Sequence, residues 1–198
     1  MKNIAWRWTS PLGFSILELV GTVAVMVTLA AIAAPPMLNY VDFYRLGMSE
    51  RDVERELQFA RLKSVSSNTP MRVRFGCPAA GQLRVVELIG TKTNPDPADA
   101  DTNLARCSES TYPYRPTGAD QSRLTRPNND GAIRYLQSGV TLTASQTLEF
   151  WADGTVHALT NGVAGPALGD PGATITLSKN SKTKNIQVNG LGKIRMDR

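Results

Sequence analysis

Residues 14–38 form a run of 25 residues with one charge, Glu18. No other feature limits the fold of this 198-residue chain as strongly. A helix needs about 20 apolar residues to cross the hydrocarbon core of a bilayer, so the run is long enough to span. The preceding segment, 1–13, holds Lys2 and Arg7 and no acid. The excess of basic residues on cytoplasmic flanks places that end inside the cell. A secretory signal has a shorter apolar core with a cut site after it, whereas here the candidate cut precedes the run. A carboxylate at the bilayer centre costs about 2.5–3.5 kcal/mol on insertion scales and less near an interface. Glu18 is therefore either solvated at the interface or paired with a cation.

The residues around it favour pairing. Gly13-Phe14-Ser15-Ile16-Leu17-Glu18-Leu19-Val20 resembles the class III leader of type IV prepilins: a glycine, a phenylalanine, and a glutamate at the fifth residue after the cut. The resemblance implies cleavage between Gly13 and Phe14 by a prepilin peptidase and N-methylation of Phe14. It also implies that Glu18 pairs with the new N-terminal amine of a neighbouring subunit. Ser15 stands where threonine is commoner in the family.

Pro35 and Pro36 lack the N–H of a helical residue and clash with the preceding turn, so a kink or local melting is expected there. Beyond them Phe43, Leu46, Val53, Leu57 and Ala60 recur at helical spacing, interrupted by Glu50. That stripe predicts a helix continuing to Ser67 and packing on a sheet. A helix over 14–67 would run roughly 80 Å at 1.5 Å per residue. Asn68-Thr69-Pro70 stops it.

Strand-like runs follow at 71–75, 83–89, 133–136, 140–143, 148–151, 155–159, 174–177, 185–188 and 193–196. Asp153-Gly154 and Asn189-Gly190 read as turns. Residues 91–129 are polar and proline-rich, with Asp96, Asp99 and Asp101, and read as a long surface excursion. Residues 163–172 read as a glycine- and proline-rich loop.

Two cysteines and one histidine, His157, are too few soft ligands for a structural zinc site. Cys77 and Cys107 form either one disulfide, as suits an exported protein, or two partly buried thiols. A bridge between them would contribute roughly 3–4 kcal/mol by the chain-entropy model. No nucleophile elbow and no glycine-rich phosphate loop is present. Neither an enzyme nor a cofactor is expected.

The net charge of +5 falls to +3 when Lys2 and Arg7 leave with the leader. In 173–198, Lys179, Lys182, Lys184, Lys193, Arg195 and Arg198 face one acid, Asp197, a local balance of +5. Such an end is either a solvated basic edge or a patch for nucleic-acid phosphates.

As a whole the chain resembles the FimT/GspH group of minor pilins and pseudopilins. The resemblance rests on the leader, on 57–64 followed by Asn68-Thr69-Pro70-Met71-Arg72-Val73, on 148–154, and on the last strands through Gly192-Lys193-Ile194-Arg195. The implied fold is α+β, with a long N-terminal transmembrane and amphipathic helix packed on a β-rich globular head. The implied parts are a leader (1–13), a helix (14–67, with 14–38 in the membrane) and a periplasmic head (68–198). The implied function is a minor type IV pilin, a structural or priming subunit. It would be held in the bacterial inner membrane and then passed to a pilus or pseudopilus, with other such subunits as partners. The alternatives are a minor pseudopilin of a type II secretion system and a DNA-binding pilin for uptake of double-stranded DNA. In the last, Lys193 and Arg195 match a Gly-Arg-x-Arg element with lysine for its first arginine, and Lys179, Lys182 and Lys184 complete the candidate patch.

Overall fold

The computed structural model describes residues 13–114, 127–160 and 162–196. Lys2 and Arg7 of the leader, residues 115–126 of the excursion, and Asp197 and Arg198 lie outside the described residues. Among the described residues the architecture is α+β: one α-helix, α1, over Ile16–Ser67, then ten antiparallel strands. Two compact units divide at Val41 and Asp42.

In the first unit the helix begins at a serine cap. The Ser15 Oγ accepts the Leu17 N–H at 3.3 Å and the Ser15 carbonyl accepts the Leu19 N–H. Glu18 lies in the first turn, where the helix dipole favours a negative charge. Helical structure continues through Pro35 and Pro36, so the expected local melting does not occur. The two prolines leave the carbonyls of Ala31 and Ile32 without their usual N–H partners, a loss that one helix of this length absorbs. Every residue from Gly13 to Ala34 is exposed.

In the second unit α1 buries Leu46, Val53, Leu57 and Ala60 completely. Phe43, placed in the same stripe by spacing, is 55% exposed instead. Glu50, which interrupts the stripe, is buried. The helix ends where Asn68 adopts a left-handed φ of 53°.

β1 (Met71–Phe75), β2 (Gln82–Glu87), β3 (Arg134–Tyr135), β5 (Leu148–Phe150), β6 (Val156–Thr160) and β7 (Val163–Ala167) form a sheet in the order β3-β2-β1-β5-β6-β7. β4 (Thr141–Ala144), β8 (Ala173–Lys179), β9 (Lys182–Val188) and β10 (Ile194–Met196) form a second in the order β10-β9-β8-β4. Nine strands match the predicted runs to within a few residues. β7 is a correction to the loop expected over 163–172, whose first half is a strand. Gly165 and Pro166 disguise it, and both are tolerated because β7 is an edge strand with a register shift against β6. Trp151 and Thr155 close the predicted Asp153-Gly154 turn through the Trp151 N–H to the Thr155 carbonyl, with Gly154 at φ 82°.

One apolar core collects α1 with Met71, Val73, Leu83, Val85, Phe150, Ile175, Leu177, Ile186 and Val188. Alternation along β1 and β2 sends Arg72, Arg74 and Arg84 to the opposite face of the larger sheet. The described part of the segment that links β2 to β3, 88–114 and 127–133, covers that face. Residues 91–114 of the excursion expected to run over the surface are thus packed as a second layer, with Asp99, Arg106 and Cys107 buried.

Candidate assembly sites and a buried arginine layer

Gly13 sits just before the helix, with nothing within 4 Å of where a Cβ would stand. Packing among the described residues therefore gives no reason for a glycine there. Phe14 is 81% exposed. Glu18 forms no ion pair or side-chain hydrogen bond among the described residues, although its neighbours in the apolar helix do settle their polar atoms. The Thr22 and Thr28 hydroxyls donate to the Leu19 and Val25 carbonyls at 2.8 Å. The one charge of the run is thus its one unsatisfied side chain.

Cys77 and Cys107 are joined as a disulfide, with Cα atoms 5.1 Å apart, and both are buried. The bridge ties the end of β1 to the covering segment. Four arginines fix the same segment. Arg72 donates from Nε to Glu149 Oε2 at 2.6 Å, from Nη1 to the Asp99 carbonyl at 2.8 Å and from Nη2 to the Gly162 carbonyl at 2.9 Å. Arg74 reaches the Asn103 and Asp101 carbonyls at 2.8 and 2.6 Å. Arg84 reaches the carbonyls of Gly131, Arg106 and Tyr112 at 2.8, 2.7 and 2.6 Å. Arg106 pairs with Asp99 Oδ1 at 2.7 Å and Asp130 Oδ1 at 2.6 Å, and donates to the Glu87 carbonyl at 2.8 Å.

Arg74 and Arg84 lie directly opposite one another across β1 and β2, where like charges repel. Loop carbonyls surround both and supply the missing negative potential. Burial pulls both guanidinium groups below their ordinary range. The four buried arginines are matched by four buried acids: Glu87, Asp99, Asp130 and Glu149. Asp99 also accepts the Ile89 and Gly90 N–H groups through Oδ2. Asp130 is the exception to easy pairing: burial raises its carboxyl above 3.8, with Arg106 acting against the rise. Its Oδ2 and the Arg106 Nε have no partner among the described residues. Alternating arginines in Met-Arg-Val-Arg-Phe read as a solvated strand face. Only the facing aspartates of the excursion could have signalled otherwise.

The structure divides the five residues of the candidate nucleic-acid patch. The Lys179 Nζ donates to the Ser138 carbonyl at 2.7 Å and lies 3.7 Å from Asp42 Oδ1. Lys184 pairs with Glu50 at 2.5 Å, and its Nζ lies 5.3 Å from the Phe43 ring. Both lysines are turned toward the helix, because 179, 184, 186 and 188 share the inward face of the β8–β9 hairpin. Asp42 is held below the usual carboxylate range by the Asn180 side-chain hydrogen bond and by the nearby lysines. Lys193 and Arg195 are exposed, and Lys182 is half-buried. Gly192 has φ 72°, and a Cβ there would stand 2.8 Å from Arg61 Nε.

His157 is accounted for by structure. Its Nδ1 faces the Gly165 carbonyl at 2.8 Å, its Nε2 faces Thr155 Oγ1 at 2.8 Å, and its ring stacks on Trp151 at 3.5 Å. Among the described residues no group of three or more His, Cys, Asp or Glu side chains could hold a metal ion.

No family profile and no curated protein matches the chain. Among solved structures it is similar to the type IV minor pilin FimU of Pseudomonas aeruginosa strain PAO1. The identity is 12% over 80% of this chain and 92% of that one, with a TM-score of 0.47. It is also similar to the minor pseudopilin EpsH of the Type 2 Secretion System of Vibrio cholerae, at 11% identity over 77% of this chain and 96% of that one, with a TM-score of 0.43.

Proposed function

We propose that this chain is the precursor of a type IV pilin-like subunit, anchored in the bacterial inner membrane with its β-rich head in the periplasm. The observation that carries the reading is the placement of Gly13, Phe14 and Glu18. An open glycine precedes an exposed phenylalanine, and the sole charge of the apolar run 14–38, long enough to span, follows in the first turn of α1. In this reading a prepilin peptidase cuts between Gly13 and Phe14. The Phe14 amine is methylated, and Glu18 of one subunit meets that amine in the next. Other pilin or pseudopilin subunits are the partners. A buried disulfide fits the oxidising periplasm.

The test is co-expression with a prepilin peptidase followed by mass spectrometry of the purified chain. The expected product starts at N-methylated Phe14. An intact Met1 start, or a cut beyond Ala34, overturns the reading. A Gly13→Ala variant should still be cut, while a bulky replacement should block cutting. Since nothing among the described residues crowds Gly13, the requirement in this reading belongs to the peptidase.

Within the class, a minor pilin is the first reading and a type II secretion pseudopilin the second. Uptake of double-stranded DNA is the weaker assignment, because Lys179 and Lys184 are already engaged by Ser138, Asp42 and Glu50.

A further inference from the structure

A groove of about 670 Å³ opens between the C-terminal turns of α1 and β10. Gln58, Arg61, Leu62, Val65 and Ser66 form one wall and Gly192, Lys193 and Ile194 the other. Leu62 is 70% exposed and Val65 52%. The core stripe of α1 is already filled by Val53, Leu57 and Ala60, so these two are surplus apolar side chains on a second helix face. The groove has basic rims, Arg61 on the helix and Lys193 on the strand, with exposed Arg195 beyond, and no acid is among its described lining residues.

The strand wall is an open edge. β10 pairs only with β9. The Asn189 N–H bonds the Lys193 carbonyl, and Arg195 lies opposite Gln187. In an antiparallel ladder, hydrogen-bonded and non-hydrogen-bonded pairs alternate. Lys193 and Arg195 therefore turn their backbone groups to β9, and Ile194 and Met196 turn theirs to the open side. Ile194, whose side chain lines the groove, has no backbone partner there among the described residues.

We propose that this groove binds an extended acidic–apolar peptide segment of a partner protein as an added strand on β10. The edge N–H and carbonyl of Ile194 and Met196 give such a segment its backbone bonds. Alternate side chains of an added strand point to one face, so an apolar residue can rest beside Ile194 on Leu62 and Val65 while carboxylates on the other face meet Lys193 and Arg195. A docked helix satisfies its own backbone and would leave the β10 edge unpaired. Duplex DNA would use the basic rims but not the exposed leucine and valine.

The test uses the full chain in detergent micelles and a fluorescein-labelled peptide, acetyl-Asp-Val-Asp-Val-Thr-Val-amide, read by fluorescence anisotropy. Saturable binding is expected. Leu62→Asp, and separately the pair Lys193→Glu with Arg195→Glu, should each weaken it at least tenfold. Both variants change exposed side chains and should keep the wild-type thermal midpoint. A peptide with proline for the second valine, which keeps both carboxylates but lacks the N–H that an antiparallel added strand turns to Ile194, should bind at least tenfold more weakly. Absence of saturable binding overturns the proposal. So does equal binding of the proline peptide, or binding indifferent to Leu62→Asp. If a 20-base-pair duplex binds and depends on Lys193 and Arg195 while the peptide does not bind, the groove edge is a phosphate site and the proposal fails.

Discussion

Arg106 shows how one side chain holds a whole layer in place. It is fully buried and touches Asp99, Asp130 and the Glu87 carbonyl. Replacing it by methionine keeps the volume and strands two acids. Breaking a buried pair by removing one partner costs about 3–5 kcal/mol. Arg106→Met should lower the urea midpoint of the chain accordingly, and a midpoint near wild type would contradict the account. Asp130 behaves in the opposite sense. Its carboxyl is raised above 3.8 by burial, so folding favours the neutral form. The ionised form is a cost at neutral pH, relieved as pH falls through the raised value toward 3.8. Asp130→Asn keeps an oxygen for the Glu87 N–H and Arg106, and puts an amide where Oδ2 now lacks a partner. The stability of wild type relative to Asp130→Asn should therefore rise between pH 7 and pH 4 in urea melts. A constant difference would mean that the carboxyl does not titrate in this window.

Elements with local signals were the legible ones. The helix end at Ser67 follows from Asn68-Thr69-Pro70, and β1 from five alternating residues ahead of a glycine. The Cys77–Cys107 bridge needed only compartment logic and a count of two. What stayed hidden depends on partners distant in sequence. β7 exists because β6 offers it an edge, and Phe43 is exposed although its spacing is that of the core. The covering layer is the largest case. Residues 91–114 look like solvated loop until Arg72, Arg74 and Arg84 grip their carbonyls. Disulfide and arginines hold the layer independently, and this separates two outcomes. A Cys77→Ser, Cys107→Ser double variant should lose about 3–4 kcal/mol of global stability by the chain-entropy model. In native buffer its 91–114 segment should still resist limited proteolysis. Arg84→Met should expose the same segment to cleavage with the disulfide intact. Cleavage in the cysteine variant and none in Arg84→Met would assign the docking to the bridge alone.

At the scale of the whole molecule the chain combines a helix that suits lipid with a head whose charges are largely settled internally. From Ile16 to Ala34 the helix presents apolar side chains outward, and Thr22 and Thr28 return their hydroxyls to the backbone. Glu18 is the remaining charge, and leaving it there costs about 2.5–3.5 kcal/mol at the bilayer centre, less at the interface. A residue kept at that cost with no partner among the described residues calls for one from another chain. Glu18→Ala should then separate insertion from assembly. The variant should remain in the membrane pellet after alkaline carbonate extraction at least as fully as wild type, because the apolar run is more hydrophobic without the carboxylate. In the proposed reading, processing at Gly13 should continue, since that cut would lie outside the helix. Co-purification of the variant with tagged wild-type copies should fall at least tenfold once the neighbouring amine has lost its anion. Retention in the membrane with undiminished co-purification would leave Glu18 as a solvated interfacial residue, and the source of subunit register would have to be sought in the head.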